Sequence, residues 1–228
     1  MDAALELIAE EGLEGLTMQK LAKRLDYAVG ALYRYFDSKE SLLAALQIRS
    51  LAAFDRLYQQ AESRLEAEIP ARPLVLLGIC AELFAASRTA VPALYALIAE
   101  ATAVRQNLLV GDLARQVFLA ALPLMQRFSG WLEQAAARGD LHPGDTRTRA
   151  ILFWTSVQGL VQVAKLDRHV PGLFGPGLLT ALLHTLLLGW GAEPELCETV
   201  AVSVEQFKRQ PGLDELFTNT EKETQTHE

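Results

Sequence analysis

Five bases fall within residues 17–39: Lys20, Lys23, Arg24, Arg34 and Lys39. Two acids, Asp26 and Asp37, oppose them, leaving a local net charge of +3. Just upstream, residues 2–14 carry five acids (Asp2, Glu6, Glu10, Glu11 and Glu14) and no base. The whole chain has a net charge of −7, which argues against nonspecific nucleic-acid binding over its entire surface. A small basic island on an acidic protein suits a localised DNA-contacting face instead.

Other chemistries find less support. Cys80 and Cys197 are single and far apart in the sequence, so each is expected as a buried free thiol. His142, His169, His184 and His227 have no partners at metal-ligand spacing, and no metal site or cofactor is expected. No Ser/His/Asp order, Cys–His pair or phosphate-binding glycine loop is visible. The chain therefore does not read as an enzyme.

The elements that must position the basic island are helical, as in the rest of the chain. Apolar residues recur at spacings of three and four, and long alternating β-branched runs are absent. Gly12 and Gly15 end a first helix, roughly 2–11. Thr17 can cap a second, roughly 18–25, by accepting a free first-turn N–H. Asp26 and Tyr27 form a short turn before a third helix over 28–36. Ser38 can cap a long fourth helix, with no proline before Pro70. Three short helices with a tight turn between the second and third have the spacing of a helix-turn-helix. Ile8, Met18, Leu21, Ala22, Leu25, Leu32 and Phe36 are expected to face inward together. A helix over 28–36 would be about 12 Å long, which matches the width of a major groove.

The wording of this segment is more specific than its periodicity. Ala4-Leu5-Glu6-Leu7-Ile8-Ala9-Glu10-Glu11-Gly12, Leu16-Thr17-Met18 with Leu21-Ala22, Val29 to Phe36, and Ser38-Lys39-Glu40-Ser41-Leu42 together resemble the tetracycline-repressor (TetR) family DNA-binding domain. The resemblance covers residues 2–47. It implies that Thr17 caps helix 2 near a phosphate and that Ala28 opens the recognition helix. Gly30 would allow close approach to the DNA backbone, and Ala31 would face base edges or sugar. Tyr33 and Tyr35 would place hydroxyls on phosphates, and Lys39 would reach a phosphate from the start of helix 4. Arg34 is the best independent choice for a base or phosphate contact. The competing readings are a partly core Tyr33 and a solvated Arg34. The family usually has a basic arm before helix 1, a glycine at the turn and a serine opening the recognition helix. Here the chain begins Met1-Asp2 and has Asp26 and Ala28 at the two turn positions, which predicts weaker and more salt-sensitive binding, or a start site placed too late.

Downstream, helices are expected over 73–87, 91–105, 108–138, 146–168, 176–190 and 193–209. Pro123 predicts a kink or break in the third of these. The helix at 176–190 is apolar nearly all round, which predicts burial on more than one side. In the resembling family the last two long helices pair with their symmetry mates. The expected homodimer interface is Val157, Leu160, Val161, Ala164, Leu179, Leu182, Leu183 and Leu186, and it would set two recognition helices about one DNA turn apart. The middle helices would enclose a small-molecule effector. Candidate lining residues are Phe84, Tyr95, Phe118, Met125, Phe128, Trp131, Phe153 and Trp154, with Gln158 and Gln162 as polar anchors. This composition favours a mainly apolar effector.

The expected architecture is all-α. It comprises a three-helix helix-turn-helix domain (1–47), a helical effector-binding and dimerisation domain (48–210) and a disordered tail (211–228). Half the chain is apolar, no apolar run reaches the roughly 18–20 residues of a membrane span, and the N-terminus is unlike a signal peptide. A cytoplasmic repressor, released from a palindromic operator by its effector, is the expected function. A helical ligand-binding or protein-interaction module with weakened or lost DNA binding is the alternative.

Overall fold

The computed structural model describes residues 1–101, 111–164, 175 and 177–218, with the side chains of 100 and 101 outside that set. The described residues form ten named helices and no strand: α1 (Asp2–Gly15), α2 (Met18–Arg24), α3 (Val29–Leu32), α4 (Lys39–Arg64), α5 (Arg72–Ala90), α6 (Pro92–Ala101), α7 (Asp112–Ala137), α8 (Thr146–Val163), α9 (Leu178–Gly189) and α10 (Pro194–Lys208). Residues 102–105, 108–110, 165–168 and 176, expected as helix, and 219–228 lie outside the described residues.

The chain divides into two compact units. The first comprises Met1–Leu57, Ser87–Leu122 and Phe217–Glu228, and the second Tyr58–Ala86 and Pro123–Leu216.

In the first unit, one apolar cluster joins Ala4, Leu7 and Ile8 of α1 with Met18, Leu21 and Ala22 of α2, and with Leu32 of α3. Leu42, Leu43 and Leu46 of α4 and Ala93 and Leu97 of α6 complete it. Each buried leucine contributes about 1.5–3 kcal/mol over its exposed state. Polar contacts fix the rim. Asp2 pairs with Arg49, and the Gln47 amide donates to the Leu97 carbonyl at 3.4 Å. Leu25, expected in this core, is instead 38% exposed, because α2 closes at Arg24 and the chain turns away before Leu25 can point inward.

In the second unit, α5 contributes Leu74 to Leu77, Ile79 to Ala81, Leu83 and Phe84, all buried. This helix is long and apolar enough to cross a membrane by length and composition, contrary to the sequence expectation. Two-thirds of the qualifying stretch is buried within the fold, as in the core helix of a folded domain. Gly78 lets α10 and α9 approach: a Cβ there would come within 2.6 Å of Val204 Cγ2 and 3.0 Å of Leu183 Cδ2. Around the end of α4, Glu62 gathers Arg72 at 3.6 Å, Arg127 at 3.1 Å and the Trp131 indole N–H at 3.4 Å. Cys80 and Cys197 are both buried free thiols.

Two further expectations change. α7 runs through Pro123 without a break. The missing N–H is offset downstream, where Leu124, Phe128, Trp131, Leu132 and Ala135 of the same helix are buried. Residues 213–218, expected as disordered tail, are helical, with Leu216 and Phe217 buried and the Arg64 guanidinium donating to the Gly212 carbonyl at 2.7 Å. Two adjacent large apolar side chains give this stretch enough buried surface to order it despite its acids.

Candidate nucleic-acid interface

The turn at the centre of the basic island is built from backbone bonds. The Thr17 hydroxyl accepts from the Lys20 N–H at 3.2 Å and caps α2. After Arg24 the chain reverses through Asp26, whose φ of 55° lies in the left-handed region, and the Tyr27 N–H donates to the Ala22 carbonyl at 2.9 Å. Ala28 then opens α3 with extended backbone and no side-chain hydrogen bond.

α3 is shorter than expected. It spans Val29–Leu32, about 6 Å of helix, where the sequence predicted 28–36. Residues 33–35 continue as a hydrogen-bonded turn, with the Tyr35 and Phe36 N–H groups both donating to the Leu32 carbonyl at 2.9 and 3.0 Å. Gly30 inside the helix and an uncapped start leave little local free energy to extend it. The chain then enters α4 through a reciprocal cap: the Ser41 N–H donates to the Ser38 hydroxyl at 3.0 Å and the Ser38 N–H to the Ser41 hydroxyl at 3.1 Å. That cap fixes Lys39, half-buried, as the first residue of α4.

Most of the residues singled out by sequence stand on the surface. Ala28, Gly30, Tyr33, Arg34 and Tyr35 are exposed, Tyr35 by 75%, while Thr17 and Ala31 are half-buried. Nothing lies within 4 Å of the position a Cβ would take on Gly30, so its backbone is open to approach. Lys23, one of the five island bases, is exposed as well, and so is Tyr27, which was not selected from sequence. The signal was there, since a large aromatic in a tight turn has little reason to be there unless it packs or binds.

The charges are less uniform than the sequence suggests. Lys20 is paired with Glu11, and Arg24 with Glu10 and, at 3.7 Å, with Glu6. The hydrogen bond from Arg24 holds the Glu10 carboxyl below the usual carboxylate range. Among the described residues, Lys23, Arg34 and Lys39 have no ion pair.

In the second unit, aromatic residues chosen as effector-lining candidates are drawn into one cluster. Phe128 meets Phe153 at 5.3 Å, Trp154 at 5.9 Å and Trp131 at 6.0 Å, and Phe84 meets Trp154 at 4.9 Å. Tyr58, missed from sequence, joins at 5.9 Å from Phe128, and complete burial pushes its phenol well above its ordinary range. Met125 and Gln162 are half-buried. Gln158 is 4% exposed, and its amide nitrogen has no hydrogen-bond partner among the described residues. Tyr95 and Phe118 belong to the first unit, and Phe118 is 67% exposed.

α8 and α9 pack together and present an apolar face. Of the residues expected at a dimer interface, Val157, Val161 and Leu183 are buried within their own chain, and Leu160, Ala164, Leu179, Leu182 and Leu186 are half-buried. The exposed apolar residues are Ile151, Leu152 and Val163 on α8 and Leu178 and Leu188 on α9. Thr155, Gly159, Ala181 and Thr185 are exposed on the same two helices. Five of the eight expected interface residues thus remain partly accessible alongside these exposures.

Residues 1–46 match the model of a family described as "Bacterial regulatory proteins, tetR family". The amino-terminal segment is thus similar to the tetR-family domain. Over 55 residues it is 44% identical to the HTH-type transcriptional repressor KstR of Rhodococcus jostii (strain RHA1), covering 24% of this chain and 26% of that protein. The chain thus matches about a quarter of the length of this curated relative. The fold likeness extends further. The crystal structure of AibR in complex with isovaleryl coenzyme A and operator DNA matches with a TM-score of 0.60 at 20% identity, covering 81% of this chain and 94% of that one. FadR from Bacillus subtilis in complex with stearoyl-CoA matches with a TM-score of 0.59 at 22% identity, covering 82% and 96%. The tetR-family match takes in α1 to α3 and the beginning of α4, and thus every sequence-selected nucleic-acid contact from Thr17 to Lys39.

Proposed function

We propose that the chain is a cytoplasmic, homodimeric transcriptional repressor that binds a palindromic operator through α2 and α3 and is released by a small, mainly apolar effector. It would act by binding alone, without catalysis. The observation that carries the reading is the set of exposed residues Tyr27, Ala28, Gly30, Tyr33, Arg34 and Tyr35 in a tetR-like domain, where Lys23, Arg34 and Lys39 have no ion pair among the described residues. Phenol hydroxyls, a guanidinium and an ammonium are the donors that seat a protein on phosphate oxygens. Thr17, Ala28, Gly30 and Ala31 would border the contact.

The remaining parts have separate support. The uncharged, apolar exposures on α8 and α9 favour a covering partner, and a second copy would supply the twofold symmetry a palindrome requires. The aromatic cluster around Phe128, with the unpartnered Gln158 amide, favours an effector that is apolar but bears a hydrogen-bond acceptor. AibR and FadR were each crystallised with an acyl-coenzyme A. Acyl thioesters are therefore the first compounds to try. Such a ligand shifts the protein off DNA only by its differential affinity for two dimer states.

The test is a titration of the full-length protein onto a duplex spanning its own upstream region, at increasing KCl. Specific retardation that weakens steeply with salt is expected. Absence of any complex at low salt overturns the reading and leaves a helical ligand-binding or protein-interaction module.

A further inference from the structure

We propose that the carboxylates of α1 withhold Arg24 and Lys20 from DNA, so that Lys23, Arg34 and Lys39 are the bases each chain offers to it. The inference rests on the DNA-binding reading above and specifies which charges perform it.

The arrangement follows from how α1 and α2 pack. Leu7 and Ile8 on one helix and Leu21 and Ala22 on the other are buried in a shared cluster, which brings the outer edges of the two helices side by side. Glu6 and Glu10 stand one turn apart on α1, and Lys20 and Arg24 one turn apart on α2. The register is antiparallel. Glu11 meets Lys20, and Glu10 and Glu6 meet Arg24, so two rungs of ion pairs close the edge. Like charges one turn apart on a helix repel, and Arg24 relieves that repulsion by serving both Glu6 and Glu10.

These pairs are exposed, with Glu6 and Glu10 side chains 64% and 57% accessible, so they contribute little to holding the fold. Their effect is on the electric field that DNA meets. A base hydrogen-bonded to a carboxylate releases no counterion from DNA unless that pair first breaks. The carboxylate it leaves behind would repel a phosphate within the screening length of about 8 Å at physiological salt. Lys23 stands next to Arg24 in sequence but on another side of α2, and it has no such partner among the described residues.

The experiment is equilibrium binding of the full chain to a random-sequence 30-base-pair duplex, read as the slope of log affinity against log KCl. Each phosphate contact contributes about 0.9 to that slope. Arg24→Gln and Lys20→Gln are expected to leave the slope unchanged and the affinity within about twofold. Lys23→Gln is expected to lower the slope by about 0.9 for each copy engaged. Glu10→Gln is expected to tighten binding, because it frees Arg24 and removes a repelling charge. Thermal melting of each variant establishes that it is folded. If Arg24→Gln flattens the slope as much as Lys23→Gln, the withholding is overturned while DNA binding stands. If the wild-type chain binds neither this duplex nor its own upstream DNA at low salt, both fall together.

Discussion

The Tyr27 N–H donates to the Ala22 carbonyl at 2.9 Å, and this bond closes the turn only because Asp26 between them takes φ 55°. Left-handed backbone costs an L-residue roughly 1–2 kcal/mol, less for Asp and Asn and almost nothing for glycine. Asp26→Gly should therefore raise stability by about 0.5 kcal/mol, the gain being trimmed by glycine's greater freedom in the unfolded chain. Asp26→Val should lower it by more than 1 kcal/mol, since a β-branched residue resists this conformation most strongly. Urea unfolding of the three proteins checks the order, and equal midpoints would refute it.

At the packed end of the second unit, Gly78→Ala should destabilise. The added methyl would meet Val204 Cγ2 at 2.6 Å, and overpacking of this kind costs about 1–3 kcal/mol. Val204→Ala alone should also destabilise, by opening space. The double variant should recover part of the loss, so the coupling in a double-mutant cycle is favourable. Strict additivity would mean that α5 and α10 do not touch through this pair.

The apolar face predicts oligomeric state. Ile151→Lys and Leu188→Lys, both at exposed positions, should yield folded monomers where the wild type sediments as a dimer. Val161→Lys, at a position buried within the chain, should unfold the protein instead. Sedimentation equilibrium with circular dichroism separates these outcomes. A dimer that survives both exposed substitutions would place the interface elsewhere.

Acid should selectively weaken α8. The Thr148 hydroxyl, and after it the Thr148 and Arg147 N–H groups, hydrogen-bond the Asp145 carboxylate and hold its pKa below the ordinary value. The stability from this cap is therefore complete above the ordinary carboxylate range and is lost as pH falls through the depressed folded value. Asp145→Ala should melt below the wild type at neutral pH, and the two melting temperatures should converge in acid. A constant gap at every pH would show that the carboxylate charge is irrelevant to the cap.

Lys39 and Arg34 should behave differently on DNA. Lys39→Ala is expected to weaken binding to all sequences alike and to lower the salt slope by about 0.9 per copy, as for a phosphate contact. Substitution of Ala31 or Arg34 should change sequence preference. Competition binding against a randomised site reads both effects, and an unchanged Lys39→Ala profile would remove the start of α4 from the contact.

What the sequence discloses here is what short-range chemistry decides. Thr17 and Ser38 announce their helix starts because a hydroxyl and an N–H two or three residues on are enough to make a cap. Gly12 marks the end of regular α1, at φ 75°. The tyrosines of 33–35 were legible as surface through their motif. The pairing of Arg24 with Glu10 was not, since the partners are fourteen residues apart and meet only once α1 and α2 are packed. Nor was the phase of α8 and α9. A helix that is apolar nearly all round, as α9 is, has no contrast to tell its inner face from its outer one, so the buried Leu183 and the exposed Leu188 looked alike. The short α3 was legible in part, through Gly30 and the capless Ala28, but only the closing turn at Tyr35 shows where the helix gives way.

The burial of α5 also has a consequence for how the chain is made. Val204, which closes on Gly78, lies 126 positions further along the sequence. The ribosome therefore delivers a nearly all-apolar helix long before most of its cover exists. The second unit must wait for its last helix, and a nascent chain stalled before Val204 would carry a sticky surface that chaperones recognise and that favours aggregation.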